Sequence, residues 1–275
     1  MNRKTSTQIF TLLGLVLLFY LLTMVAVFIL QYKGVEMWRF LMATAALQNI
    51  GMFIIPAIIT ARIFNPGKTW QVMQLGHMPR ISHVAMMLLI YLASIPAMNA
   101  IVAWNEGWQL PESLSWMRAM EDEAMRMTEM MMNVSSIGQL IVVILIVGLL
   151  TGIGEELMFR GSLQRLMSER NINTHIAVWV TAFVFSAIHM QAFGFVPRLL
   201  LGAFFGYMMA WSGNLWLPIL AHALNNSLTT LTYHYPSLEH MMWIGTEPTT
   251  MSIVVSIVAT TILLCIYYKW MRIKK

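Results

Sequence analysis

The chain has 275 residues, of which 58% are hydrophobic and only 11% are charged. A soluble domain carries about 25% charged residues, so this composition excludes an ordinary soluble protein and indicates an integral membrane protein. The net charge of +5 reflects basic loops and does not indicate a nucleic-acid partner, and the single cysteine, Cys265, excludes an internal disulfide and a cysteine-rich metal site.

Apolar runs recur along the whole chain, and each is close to the ~20 residues that cross ~30 Å of hydrocarbon. They predict an all-α, polytopic bundle of about eight transmembrane helices: residues 9–31, 38–60, 82–104, 136–158, 174–192, 196–212, 215–233 and 251–268. The first run is longer than the hydrophobic region of a signal peptide, and no small-x-small cleavage pattern follows it. We therefore interpret it as the first span.

Basic residues fix the predicted orientation, because cytoplasmic loops of membrane proteins are enriched in lysine and arginine. With eight spans, the following basic positions all fall on one side, which is the cytoplasmic side: Arg3, Lys4, Arg62, Lys68, Arg80, Arg160, Arg165, Arg170, Lys269, Arg272, Lys274 and Lys275. We expect a protein of the cell membrane with both termini in the cytoplasm. Its basic ends and loops are predicted to contact anionic lipid.

The segment 105–135, between spans three and four, is acidic and rich in methionine, and it falls on the outer side. It predicts an amphipathic helix that lies on the outer leaflet or caps the bundle. The alternative is a flexible binding surface, because methionine side chains adapt to varied partners. The chain is thus divided into residues 1–135, with three helices and this segment, residues 136–233, with four helices, and residues 234–275, with a loop and the last helix.

Two adjacent glutamates, Glu155 and Glu156, end the apolar run of span four. A carboxylate at membrane depth is costly unless it is paired or hydrated, so it is a candidate functional group. Neighbours on a helix point about 100° apart, which gives the two acids different roles. Glu156 and Arg160 have the i,i+4 spacing of a helical ion pair, and Glu155 is left to face the bundle interior. Gly152 and Gly154 predict the close approach of another helix there.

Two later spans carry histidines, each in a four-residue spacing with another motif residue. Phe185 and His189 lie in span five, and His222 and Asn226 lie in span seven. Either histidine alone is typical of a hydrogen-bonded structural residue in a helical bundle. A functional role for the two histidines therefore requires that they lie close to Glu155 and Glu156 in the folded protein.

Helix geometry predicts that they do. If span four continues as a helix to about Glu169 and residues 171–173 form the turn, Glu155 lies ~21 Å before that end of the helix and His189 lies ~23 Å along the returning helix. The depth of His222 agrees if span four protrudes ~10 Å into the cytoplasm as an amphipathic extension. All these groups are then predicted in the cytoplasmic half of the membrane.

Several known hydrolytic motifs are absent from the sequence. It has no His-Glu-x-x-His zinc motif and no Gly-x-Ser-x-Gly nucleophile turn. The one aspartate, Asp122, lies outside the predicted spans, which excludes an intramembrane aspartyl dyad. The remaining chemistry is a glutamate that activates water, with neutral histidines and an amide that stabilise an oxyanion or bind a metal.

The three motifs together resemble those of the CPBP family, the CAAX-processing and bacteriocin-processing intramembrane proteases, also called the Abi family. The resemblance covers residues 138–230 and rests on Glu155-Glu156-x-x-x-Arg160, Phe185-x-x-x-His189, His222-x-x-x-Asn226 and the stretch 213–222. It implies an all-helical fold around a membrane cavity, and endoproteolysis of membrane-associated or prenylated peptides by residues 136–233, the catalytic core.

The resemblance also implies roles for single residues. Glu155 would activate water, His189 and His222 would be its polar partners, and Asn226 would donate to the oxyanion. The supporting residues would be Glu156, Arg160 and Phe185.

The sequence leaves two questions open: whether the site binds a metal, and whether the protein is a protease. Glu155, His189 and His222 form a workable zinc set with an open position, and they serve equally well around a bare water. A non-catalytic scaffold or bacteriocin-immunity protein is the first alternative to the protease, and a proton-coupled transporter is the second. The polar groups cluster in one half of the chain and show no repeat symmetry, which disfavours the transporter.

Overall fold

The structure, a computed structural model, describes residues 3–170, 172–241 and 243–273, and side chains from 5 to 271 apart from residues 171 and 242. Of the positions used to predict topology and the interhelical turn, Asn171, Lys274 and Lys275 lie outside the described residues, as do the side chains of Arg3, Lys4 and Arg272. The described part of the chain contains helices and no strand. The all-α prediction is confirmed.

The described residues form nine principal helices. They are α1 Arg3–Tyr32, α2 Met37–Phe64, α3 Ile81–Glu106, α4 Ser115–Met132, α5 Ile137–Ser168, α6 Thr174–Ala187, α7 Phe195–Ser212, α8 Trp216–His234 and α9 Thr250–Ile273. A one-turn helix, Thr69–Val72, lies between α2 and α3, and the 3₁₀ turns are Glu112–Leu114, Ala192–Gly194 and Pro236–His240. Every predicted span overlaps a helix. The fifth, predicted as 174–192, ends at Ala187, so His189 lies in the turn after α6 and not on the returning helix as predicted.

The predicted count of eight spans differs from the number of helices that meet the length and hydropathy expected of a span. Within the described residues six do so, namely α1, α2, α3, α5, α7 and α9. Helix α6 has 14 residues, about 21 Å at 1.5 Å per residue, which is shorter than ~30 Å of hydrocarbon. Helix α8 has 19 residues, but its hydropathy is lowered by polar side chains, namely those of His222, Asn225, Asn226 and several hydroxyl residues. Helix α6 therefore falls short by its length, and α8 by its polar side chains.

Helix α5 lies at the centre of the bundle and is not a uniform α-helix. Two π-helical stretches, Ile144–Leu150 and Phe159–Gln164, flank the regular segment Thr151–Met158 that carries both glutamates. A π-helical turn widens the helix and often marks a functional site. The helix ends at Ser168 with Glu169 as its C-cap, so the predicted continuation to about Glu169 is confirmed.

Small residues let two helices approach the glutamate segment. A Cβ atom on Gly152 would lie 2.9 Å from the backbone nitrogen of Ala223 on α8. A Cβ on Gly154 would lie 3.1 Å from the Asn49 Oδ1 atom on α2. Asn49 also donates to the Thr151 hydroxyl at 3.1 Å. The predicted close approach is therefore made by two helices, one on each side.

Helix α3 is interrupted by Pro96, which lacks an N–H and so cannot bond the carbonyl of Leu92. The indole N–H of Trp243 donates to that carbonyl at 2.7 Å. On α9, the Ser256 hydroxyl donates to the Ala93 carbonyl at 2.6 Å and accepts from the Ala97 N–H at 3.1 Å. Backbone groups at membrane depth need such partners because no water replaces them.

The methionine-rich segment forms α4 and packs on the turn Ala192–Gly194 between α6 and α7. The Glu121 carboxylate accepts a hydrogen bond from the Phe193 N–H at 3.1 Å, and the Arg118 guanidinium lies 3.3 Å from the centre of the Phe193 ring. At the end of α3, Asn105 donates to the Ala192 carbonyl at 3.1 Å. Helix α4 thus covers the turn that follows His189.

Candidate active site

A fully buried ion pair forms the base of the site. Glu156 and Arg160, one turn apart on α5, are 0% exposed and are joined by a 2.6 Å contact. The second guanidinium nitrogen of Arg160 donates to the Gly202 carbonyl on α7 at 2.8 Å. The rings of Phe185 and Phe205 lie 4.9 Å and 5.5 Å from the guanidinium carbon. The predicted i,i+4 pair is present, and it also connects α5 to α7.

His222 links the two glutamates. Its Nδ1 atom lies 2.8 Å from Oε1 of Glu156, and its Nε2 atom lies 3.6 Å from Oε2 of Glu155. A carboxylate accepts hydrogen bonds, so the short contact places the hydrogen of a neutral ring on Nδ1 and leaves the Nε2 lone pair toward Glu155. Phe205 stacks on the imidazole at a centroid distance of 4.9 Å. The ring is therefore fixed in both tautomer and plane.

Glu155 is the less committed of the two acids. Its side chain is 11% exposed, and among the described residues its one charged contact is the 3.6 Å approach to His222. No hydrogen bond to its carboxylate occurs within the described part of the chain. Its neighbour satisfies both Arg160 and His222, whereas Glu155 keeps its lone pairs free. That difference agrees with the separate roles predicted for the pair.

His189 sits at the edge of the same cluster. Its Nδ1 atom lies 2.8 Å from the Phe185 carbonyl, which orients the ring and leaves Nε2 available. The Phe185 ring packs edge-on against both imidazoles, at centroid distances of 5.3 Å to His189 and 5.9 Å to His222. Phe185 is thus the spacer between the two histidines.

Asn226 is held in a chain of hydrogen bonds one turn beyond His222. Its amide nitrogen donates to the Val147 carbonyl in the first π-helical stretch of α5 at 3.1 Å. Its amide oxygen accepts from Asn225 at 3.2 Å, and Asn225 in turn accepts from the Tyr91 hydroxyl at 3.3 Å. One amide hydrogen of Asn226 is therefore engaged with the backbone, and the other is left for a ligand.

The proposed zinc set does not converge in this arrangement. Among the described residues, no three His, Cys, Asp or Glu side chains are grouped so that they could hold a metal ion. His222 directs Nδ1 to a carboxylate that already binds Arg160, and the ring of Phe185 stands between the two histidines. Zinc bound by Glu155, His189 and His222 stays a prediction from the family resemblance.

Sequence reasoning identified the residues of the cluster but missed several of its partners. Gly202 and Phe205 on α7 and Tyr91 on α3 lie on helices without a recognised motif. Their spacing gives no signal in the sequence, because their role depends on which helices pack together. Asn225 had a signal, since it is a second amide directly beside the motif residue Asn226 in a predicted span.

Comparison with known proteins finds a match over the part of the chain that carries the three motifs. Residues 137–228 match the family model described as "Type II CAAX prenyl endopeptidase Rce1-like". Over 83 residues the chain is 32% identical to YpbD, an uncharacterized protein of Bacillus subtilis (strain 168), which covers 29% of this chain and 39% of that protein's length. No solved structure matches. The family resemblance inferred from the three motifs is confirmed, and the matched region contains all of them.

Proposed function

We propose that this chain, which belongs to the Rce1-like family of CAAX-type membrane proteases through residues 137–228, cleaves peptide bonds of membrane-associated substrates with a water molecule activated by Glu155. One observation carries the proposal. In a buried polar cluster where Oε1 of Glu156 contacts both Arg160 and His222, the carboxylate of Glu155 has no hydrogen bond among the described residues and its side chain is still 11% exposed. A CAAX-like or leader-type peptide at the cell membrane is the substrate class that the family suggests.

The proposed reaction begins with a water molecule bound by Glu155 and His222. A contact of 3.6 Å between Glu155 and His222 leaves room for a bridging water rather than a direct bond. Glu155 takes a proton from that water as the oxygen attacks the scissile carbonyl carbon, and the oxyanion is stabilised by the free amide hydrogen of Asn226. The proton then passes to the amine nitrogen as the C–N bond breaks, and the products are a carboxylate and an amine.

Glu156 and Arg160 act on this reaction through His222. The pair holds the imidazole with Nε2 toward the water, as an orienting carboxylate does in other hydrolases. His189, across the Phe185 ring, adds a second neutral donor or acceptor at the edge of the site. The low dielectric of the bundle strengthens each of these contacts.

Replacement of Glu155 by glutamine tests the proposal. Removal of a general base costs about 10²- to 10⁴-fold in rate, so peptide ends made by the enzyme should vanish. Membrane-protein termini are compared by mass spectrometry between cells that express wild type or Glu155→Gln at matched membrane levels. The matched control is Glu112→Gln, which removes an exposed carboxylate from the 3₁₀ turn before α4 and should keep the wild-type ends.

The scaffold alternative predicts the opposite result. If wild type and Glu155→Gln give identical termini, and the variant still corrects whatever defect deletion causes, the protease proposal fails. If Glu155→Gln loses both the peptide ends and the correction of the deletion defect, at an unchanged protein level, the protease proposal is supported.

A further inference from the structure

A cavity of about 420 Å³ lies between α3, α7, α8 and the loop that follows α8, and it falls within the size range of ligand sites. We name it the α3–α8 cavity. Its walls come from Tyr91 and Asn99 on α3, Leu201 on α7, Asn225 and Thr229 on α8, and Glu239 in the loop. Most of this wall lies outside the family-matched region.

The inner end of the cavity reaches the proposed oxyanion donor. Tyr91 and Asn225 both line it, and they are the two residues whose hydrogen bonds orient Asn226. A chain that enters the cavity therefore ends one residue away from the reacting amide.

The wall offers hydrogen-bonding groups without buried charge. Its hydroxyl and amide side chains alternate with apolar ones such as Met98 and Leu228. An extended peptide within a membrane must find partners for its backbone N–H and C=O groups. This mixture supplies them, whereas a lipid tail would need a purely apolar wall.

The mouth of the cavity is acidic. Glu239 lines it, and Glu106 and Glu129 are close enough to act electrostatically on Tyr233, another wall residue. No lysine or arginine is among the described lining residues. Arg126 does not offset this charge, because it is paired with Glu123 at 2.7 Å. The local field therefore favours a cationic ligand.

The cavity is built before any ligand arrives. Asn99 donates to the Gly245 carbonyl at 2.7 Å and Trp243 to the Leu92 carbonyl at 2.7 Å, so the loop is tied to α3 at two points. A preformed site avoids the ordering cost of closing a loop on a ligand.

We propose that the α3–α8 cavity binds an extended peptide segment that carries a basic side chain. Its polar wall pairs the peptide backbone and its acidic mouth attracts the lysine or arginine. That this peptide is the enzyme's substrate rests on the proposed function; the binding itself does not.

Cysteine protection tests the site without hydrolysis. The full chain carries Glu155→Gln, Cys265→Ser and Thr232→Cys in the cavity wall, and the rate of labelling by a charged maleimide is measured in detergent. The probes are a short synthetic peptide with lysine side chains and the same peptide with glutamate in their place. At about ten times its dissociation constant, the lysine peptide should slow labelling about tenfold, and the glutamate peptide should not.

Two further variants sharpen the result. Glu239→Gln should weaken protection by the lysine peptide about two- to fivefold, the range for an exposed charge pair. Ser113→Cys, exposed in the turn before α4, is the control position and should label at one rate throughout. Thr229→Cys replaces Thr232→Cys if the latter does not fold.

Equal protection by both peptides, or none by either, overturns the proposal. Labelling is measured on the Glu155→Gln protein, so it does not depend on hydrolysis. If the lysine peptide protects this protein but wild type produces no peptide ends in cells, the protease proposal fails and the peptide site stands. Enzyme-made ends without protection would do the reverse.

Discussion

At the scale of single residues, the stability of the site depends on Glu156 and Arg160. Both are excluded from solvent, and a buried ion that loses its partner costs about 3–5 kcal/mol. We expect Glu156→Gln to lower the thermal unfolding midpoint in detergent strongly and to abolish the enzyme-made peptide ends, since His222 loses its orienting carboxylate as well.

The double variant Glu156→Gln with Arg160→Met separates these two effects. Because it leaves no unpaired buried charge, it should regain much of the stability while remaining inactive. Glu123→Gln is the matched control, since it breaks an exposed i,i+3 pair on α4 and should leave the midpoint unchanged. A stable and active Glu156→Gln protein would contradict the role given to this pair.

The residues that could be predicted were those whose partners are near in sequence or whose motif is distinctive. Glu156 and Arg160 are four residues apart, so helix geometry alone pairs them. The contact between His222 and Glu156 joins residues 66 positions apart, and helix periodicity cannot specify which of two adjacent glutamates meets a distant ring. The sequence therefore predicted that these residues meet, but it assigned His222 only to Glu155, whereas the shorter contact is to Glu156.

At the scale of helices, the glycines of α5 set the distance between the glutamates and the histidine. We expect Gly152→Ala to push α8 away, because the added methyl would meet the Ala223 backbone at 2.9 Å and backbone cannot rotate aside. The variant should lose activity and unfold at lower temperature.

Gly138→Ala, on the same helix, is the control for Gly152→Ala. Its nearest neighbour would lie 3.9 Å away, and alanine generally favours a helix over glycine by about 0.5–1 kcal/mol. That protein should be as active and at least as stable as wild type. Equal behaviour of the two variants in unfolding and peptide-end assays would refute the packing argument.

Helix positions were predictable from hydropathy, whereas helix detail was not. All eight apolar runs are helices, but the π-helical stretches around Thr151–Met158 left no pattern in the sequence, because widened turns depend on packing against α2 and α8. The short α6 and the polar α8 show the same limit. A span count from hydropathy does not include how a helix packs, and α8 packs its polar side chains against α3 and α5.

At the scale of the whole molecule, a helix outside the family-matched region shapes the site. Tyr91 on α3 positions Asn226 through Asn225, so we expect Tyr91→Phe to lower the rate of peptide-end formation several-fold. The loss of one hydrogen bond should cost about 1 kcal/mol of stability. Rates are measured on a substrate identified from the comparison of termini.

Tyr267→Phe is the matched control for this prediction. Its hydroxyl also donates to a buried carbonyl, that of Met208, at 3.4 Å, but it lies outside the Asn226 chain. It should cost a similar amount of stability and leave the rate intact. A parallel loss of rate in both variants would reduce Tyr91 to a packing residue.

The break at Pro96 also bears on how the protein is made. The donors that complete α3, Trp243 and Ser256, lie 151 and 163 residues after the carbonyls that they bond, so they are synthesised long after α3. Before Trp243 and Ser256 are synthesised, the Leu92 and Ala93 carbonyls lack these donors. The bundle around α3 is therefore incomplete during synthesis. The wall that α3 gives to the α3–α8 cavity is therefore completed only after the loop that follows α8 and the first turns of α9 have been made.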